Sequence, residues 1–243
     1  MSLTFFTFSS PPQFYRLTGY LVPLCWAAFA VLSAIGLYMG FFVAPTDATQ
    51  GDVYRVIFIH VPAAWMSMLL YLVMAFWAAI GWAFNARLAS MVARAAAPTG
   101  ALFTFLALWT GALWGKPTWG TWWVWDARLT SELILLFLYL GFMALVEAID
   151  DTRRADQAGA LLAIVGAVNV PIIYFSVKWW NTLHQGASVS PTMAPKMAST
   201  MLTAMMLMSL AFWAYAFAMV FMRTRALILE RERGAHWINE LKD

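Results

Sequence analysis

Residues 98–149 read PTGALFTFLALWTGALWGKPTWGTWWVWDARLTSELILLFLYLGFMALVEAI. Two apolar runs, Pro98–Leu113 and Leu133–Ile149, flank a loop that holds five of the chain's 14 tryptophans between Trp114 and Trp125. A helix needs about 20 apolar residues to cross a bilayer. The second run approaches that length, and the first does if it begins near Val92. A helix over 118–126 would put Trp119, Trp122, Trp123 and Asp126 on one face, at i, i+3, i+4 and i+7. Pro117 fits the first turn of such a helix. That face is a flat aromatic platform with one acid at its edge, suited to a large planar ligand. The same indoles also suit an interfacial belt, where Trp sits at headgroup level. Their density and the single acid favour the platform.

Outward from this stretch the chain keeps the same texture. Of its 243 residues, 63% are hydrophobic and 11% charged, against roughly 45–50% and 25% in soluble domains. Mean hydropathy is +0.71. Six apolar runs are long enough to span: Tyr20–Phe42, Val61–Phe84, Pro98–Leu113, Leu133–Ile149, Gly159–Val177 and Met197–Met222. Lipid supplies no hydrogen bonds to the backbone, so these runs are expected as helices rather than open sheet. The expected fold is an all-α membrane protein, a single six-span domain over residues 1–243, with short periplasmic interfacial helices. The polar segments are too short for a separate soluble domain.

Residues 1–15 carry no Lys or Arg and are interrupted by Pro11-Pro12, which does not fit a cleavable signal. Phe5, Phe6, Phe8, Phe14 and Tyr15 suggest a segment lying on the membrane surface. The single cysteine, Cys25, excludes an internal disulfide, a C-x-x-C redox pair and a C-x-x-C-H attachment site; it reads as a small core residue.

Basic residues set the orientation. Arg16, Arg87, Arg94, Arg153, Arg154, Arg223, Arg225, Arg231, Arg233 and Lys242 fall on one side, and Arg55, Lys116, Arg128, Lys178 and Lys196 on the other, ten against five. Both termini of this multi-pass chain are therefore expected in the cytoplasm and the tryptophan loop outside; for a bacterial inner membrane, outside means the periplasm. The tryptophan loop then faces the periplasm. The formal charge of +3 is scattered, so nucleic acid is not an expected partner, whereas membrane lipid is.

Two of the three histidines lie on the tryptophan side. His60 precedes Pro62 at the mouth of the second run. His184 follows K-W-W-N-T-L; an interfacial helix there would align Val177, Trp180 and His184, with Gly186 ending it. Either histidine alone reads as a hydrogen-bonded interface residue, but two on one side strengthen each other as ligands. His236, beside Trp237 in a charged tail, reads as solvated. No H-E-x-x-H, Cys cluster or His-x-His pair supports zinc or copper. No G-x-x-x-x-G-K-[ST] occurs, so ATP hydrolysis is assigned to another subunit. The runs carry no mid-membrane charge of the kind an ion-coupled pump keeps. Asn169 and Pro171 read as a kink in the fifth run.

The run Trp119-Gly120-Thr121-Trp122-Trp123-Val124-Trp125-Asp126, continuing Arg128-Leu129-Thr130-Ser131, resembles the tryptophan-rich WWD signature of haem-handling proteins of cytochrome c biogenesis. With the chain length, the span count and the two outer histidines, the resemblance extends over nearly the whole chain and points to the CcmC family. It implies a WWD loop at about 114–130 and haem bound non-covalently, as b-type cargo. His60 and His184 would be the axial ligands, approaching opposite faces, since neutral imidazole is a standard donor to haem iron. Trp114, Trp119, Trp122, Trp123, Trp125 and Asp126 would form the binding surface. Arg55 and Arg128 would meet the propionates, although Arg55 suits a snorkelling cation equally well; Lys116 and Lys178 are weaker candidates. Asp126 would repel a propionate, so it is assigned to pairing with Arg128 or fixing the loop.

The resemblance further implies presentation of haem to the chaperone CcmE, and association with the ABC subunits CcmA and CcmB and the small protein CcmD. On this reading the chain is a scaffold, not an enzyme, and shorter than the synthases that share the motif. One alternative is a permease subunit exporting haem, for which Gly100, Gly111, Gly166 and Asn169 would supply a small-residue path. A b-type electron-transfer subunit is the other, but it buries paired histidines inside its spans.

Overall fold

The computed structural model describes residues 10–184, 189, 194–195 and 197–239. Among them the structure is helical, with a single isolated bridge between Asp47 and Gly51. The helices are α1 (Pro11–Tyr38), α2 (Ile57–Phe84), α3 (Arg87–Trp119), α4 (Ala127–Glu147), α5 (Thr152–Gly166), α6 (Asn169–Trp179), α7 (Ser199–Arg231) and α8 (His236–Asn239). A π-helical turn, Met39–Val43, prolongs α1, and a 3₁₀ turn, Asp52–Val56, leads into α2. Six segments are long and apolar enough to cross a membrane, α5 and α6 together forming the fifth. This is an all-α, multi-pass membrane protein.

Local sequence chemistry sets the helix ends. Asn85, in the left-handed region at φ 50°, closes α2, a conformation asparagine tolerates better than most residues. α3 follows almost at once. Asp151 opens α5 by accepting the Arg154 N–H at 2.7 Å, which satisfies an amide that the first turn leaves unpaired. The Pro11-Pro12 pair opens α1, where a missing N–H costs nothing.

The α2–α3 hairpin is the spine of the bundle. One core packs its first flank against α4, α5 and α6, around Tyr71, Leu135, Tyr139 and Ile173. A second packs its other flank against α7 and the 44–58 segment, around Phe58, Phe103, Trp114 and Met205. α1 leans on α7 and otherwise turns an apolar surface outward, consistent with lipid contact.

Several expectations are revised. The stretch 118–126 is not a helix. α3 continues through Pro117 to Trp119, so Pro117 lies in its last turn. Gly120 ends it at φ 80°, its N–H bonding to Lys116 O at 3.0 Å; a side chain at that φ would be strained, and glycine is not. Asp126 then caps α4, its Oδ1 accepting the Leu129 N–H at 2.8 Å. Two strong boundary signals, six residues apart, hold the intervening tryptophans in an extended loop. The interfacial helix expected to carry His184 is also absent. α6 ends at Trp179, and Trp180 is extended at φ −131° and ψ 156°. Gly186 lies outside the described residues, as do Phe5, Phe6 and Phe8, while Phe14 and Tyr15 belong to α1.

The glycines proposed for a small-residue path seat aromatic rings instead. A Cβ at Gly100 would lie 2.1 Å from the Tyr139 ring, and one at Gly166 2.1 Å from the Tyr71 hydroxyl. Asn169 sits at the break between α5 and α6, where its Nδ2 donates to Ser131 O at 2.9 Å.

Candidate functional site

The first turn of α2, the last turns of α3, the loop 120–126, the start of α4 and the segment after α6 converge at one end of the bundle. Between them lies a narrow slot. It encloses about 680 Å³ of empty space counting its mouth. Its lining of indole and imidazole rings offers flat faces to a planar molecule.

His60 and His184 both line the slot. They are 124 residues apart in sequence, yet their ring centroids are 6.1 Å apart with planes at 32°. His60 is 7% exposed. Its Nδ1 is 3.0 Å from Thr110 Oγ1, and its ring meets Trp114 edge-on at 5.5 Å. Trp114 is itself anchored, donating from Nε1 to Gln50 Oε1 at 2.6 Å and touching Tyr54 at 5.7 Å. It stacks on Trp119 at 6.5 Å and 28°, and Trp119 reaches His184 at 6.3 Å. A continuous run of rings therefore backs the two imidazoles.

Trp119, Trp122 and Trp123 line the slot, and Trp125 does not. Trp125 packs edge-on against Trp123 at 5.4 Å and is 77% exposed. The expected flat platform is thus a curved wall, with Trp122 and Trp125 at its exposed rim. Trp123 Nε1 is buried without a hydrogen-bond partner among the described residues.

The charged residues divide. Arg128 lines the slot while donating from Nη1 to Ile173 O at 2.8 Å. Arg55 is not on its wall; it donates to Gly40 O at 2.7 Å, Ala44 O at 3.0 Å and Asp52 Oδ1 at 2.9 Å. It clamps the end of α1 to the start of α2. Among the described residues Asp126 makes no ion pair with Arg128. Of its two expected roles, its cap on α4 supports fixing the loop. Lys116 donates to Gly120 O at 3.1 Å, and Lys178 lies 5.7 Å over the Phe175 ring; both serve their own segments.

Two residues were missed from sequence, Glu132 on the wall and Thr110 behind His60. Glu132 lines the slot and is 6% exposed. Its Oε1 accepts from Ser67 Oγ at 2.6 Å, and Tyr139 donates to the Ser67 carbonyl at 2.8 Å. Its Oε2 has no partner among the described residues. The available signal was its position one turn after Arg128, which places both on one face of α4. Thr110 gave no signal, because its role depends on a residue fifty positions away. The slot can therefore offer two imidazoles, aromatic faces, one guanidinium and one carboxyl group to a single flat ligand.

Comparison with known proteins agrees in extent with this whole-chain architecture. The family model described as "Heme exporter protein C" matches residues 4–239. "Heme exporter protein C" of Escherichia coli K12 is 47% identical over 232 residues, 95% of this chain and 93% of that protein. The protein of the same name from Bradyrhizobium diazoefficiens is 49% identical over 210 residues, 86% of this chain and 80% of that one. A "putative cytochrome c biosynthesis ccmC-like mitochondrial protein" of Marchantia polymorpha is 48% identical over 176 residues, 72% and 73% of the two chains.

Proposed function

This chain belongs to the heme exporter protein C family, a haem-handling membrane component of cytochrome c biogenesis, and from that premise we propose that it holds haem in the tryptophan-walled slot for transfer. His60 and His184 are the axial ligands. The observation that carries this assignment is the 6.1 Å between their ring centroids. Two metal–imidazole bonds of about 2 Å each, as for zinc, plus the two ring radii come to about that separation. Trp119, Trp122 and Trp123 offer faces for the macrocycle, and stacked aromatics contribute about 0.5–1.5 kcal/mol each beyond area burial. Arg128 is the cation placed for a propionate, its remaining guanidinium donors suiting a carboxylate. Arg55 keeps α2, the helix that bears His60, in position instead.

The haem is non-covalent, b-type cargo. With two imidazoles the iron's shell is complete, so cargo is held by ligation and stacking and leaves when a competing ligand arrives. The exposed rim of Trp122 and Trp125 suits a protein partner, since exposed apolar patches mark interaction sites. We assign that partner as the chaperone CcmE. CcmA, CcmB and CcmD complete the complex, with ATP used by the ABC subunits. The chain acts as one six-span unit in the bacterial inner membrane. Its tryptophan end faces the periplasm and its termini the cytoplasm, because the opposite end carries the excess of Arg. Presentation is favoured over export through the bundle, because Gly100 and Gly166 seat the Tyr139 and Tyr71 side chains.

The test is spectral. Purified protein loaded with haem should show a six-coordinate, low-spin spectrum. His60→Ala or His184→Ala should give a shifted Soret band that added imidazole partly restores, and the double variant should neither retain haem nor load the chaperone. A double variant with an unaltered spectrum and normal loading would sink the ligand assignment.

A further inference from the structure

We infer that Thr110 is a positioning residue: its hydroxyl fixes the tautomer and rotation of His60, so that Nε2 is the bare nitrogen offered to the slot. The inference rests on the reading of His60 as a haem ligand, but its geometry stands independently of it.

Thr110 Oγ1 has one proton to give. It donates back along α3 to Leu106 O at 2.7 Å, with Ala107 O the other carbonyl in reach at 3.3 Å. This is the i−4 bond that a threonine makes inside a helix. With the proton committed to a carbonyl, only lone pairs of Oγ1 face His60 Nδ1 at 3.0 Å. The nitrogen must then be the donor in that contact, because two acceptors would repel. In a neutral imidazole one nitrogen carries the proton and the other does not, so Nε2 is left bare. A bare imidazole nitrogen is what a metal takes.

The neighbouring residue completes the cradle. A Cβ at Gly111 would lie 3.1 Å from His60 Cε1 and 3.6 Å from Nδ1, so the Cε1–Nδ1 edge of the ring sits close against the α3 backbone. Trp114, one turn further along α3, meets the ring edge-on at 5.5 Å. Thr110, Gly111 and Trp114 thus bound the imidazole from one helix. The hydroxyl of Thr110 is buried with it, so water does not compete for Nδ1. A metal-ligating histidine ordinarily donates its other N–H to a fixed acceptor. Loss of such an acceptor typically costs about 10–100-fold in metal affinity.

Two readouts test this, one without haem. The chain has three histidines, so ¹⁵N-histidine NMR of the haem-free protein in lipid nanodiscs is assignable, with His60→Ala identifying the His60 signals. At mildly alkaline pH, His60 should carry its proton on Nδ1. Thr110→Ser should keep that state and Thr110→Val should lose it. In the loaded protein, Thr110→Val should weaken haem retention about 10–100-fold and raise the midpoint potential, since a less basic imidazole favours the ferric state less. Thr110→Ser, which keeps the hydroxyl, should match the parent in both and serves if the valine variant does not fold. A parent protein with the proton on Nε2, or a serine variant that behaves like valine, overturns the proposal. Should the proton sit on Nδ1 while His60→Ala leaves the haem spectrum unchanged, the proposal falls through the ligand reading and not through the hydrogen bond.

Discussion

At the end of the bundle bearing Arg87, Arg153 and Arg231 the connections are short and several arginines bond to groups of the bundle; at the tryptophan end the connections are long and, among the described residues, several buried polar atoms go without partners. Asn85 and Ala86 alone link α2 to α3 at the arginine end. Arg231 there grips Asp156 through two bonds of 2.8 Å, Arg94 faces Glu147 at 3.6 Å, and Arg223 donates to Thr99 at 2.7 Å. Arg225 bonds the Tyr15 carbonyl and lies over the Tyr15 ring. Among the described residues five buried side-chain polar atoms lack a hydrogen bond, and four belong to the tryptophan end: Thr118 Oγ1, Trp123 Nε1, Asp126 Oδ2 and Glu132 Oε2. Such atoms are few in a native fold and call for a cause. The contrast teaches that the buried polar groups of the two ends are not equally satisfied by the chain's own residues, and the less satisfied end is the one proposed above to take a ligand.

Three substitutions would break or sharpen this contrast. Asp156→Ala should have the largest effect on stability. It removes two charge-assisted hydrogen bonds from a pair whose side chains are only 13% and 14% exposed, at a cost of about 2 kcal/mol. Thermal unfolding in detergent should report that loss while haem content per folded molecule stays unchanged; a parallel fall in haem content would show that the two ends are not independent. Asp126→Ala should cost about 1 kcal/mol as a lost N-cap and also loosen the loop, so haem retention should fall alongside the melting temperature. Asp126→Asn, which keeps an acceptor for Leu129 N–H, should restore both. Trp122→Ala should leave the melting temperature alone and weaken haem retention a few-fold, the scale of about 0.5–1.5 kcal/mol for one stacked ring. Equilibrium haem titration checks it, and unchanged affinity after joint replacement of Trp119, Trp122 and Trp123 would leave the interfacial belt as the better reading of this loop.

The sequence by itself determined the six spans, because transfer into lipid sums residue by residue over a run and needs no knowledge of neighbours. It also marked the tryptophan loop and the two histidines as one-sided, since loop charge follows the same local accounting. Only the tertiary structure decided how the loop is used. The helical face drawn through Trp119, Trp122, Trp123 and Asp126 obeyed the right period but ignored the left-handed backbone of Gly120, which ends one helix, and the side-chain cap of Asp126, which begins the next. Arg55 and Arg128 looked alike as outer cations, and the difference between a clamp and a slot wall lies in which carbonyls each can reach. Glu132 was not singled out in the sequence, because its place depends on Ser67, which donates to it from another helix, and on Tyr139, which bonds the Ser67 carbonyl. His60 and His184, Thr110 and His60, and Trp114 and Gln50 are each joined by contacts across at least fifty residues of chain. Such contacts depend on how helices pack, and packing is a property of whole faces in three dimensions that no local pattern carries.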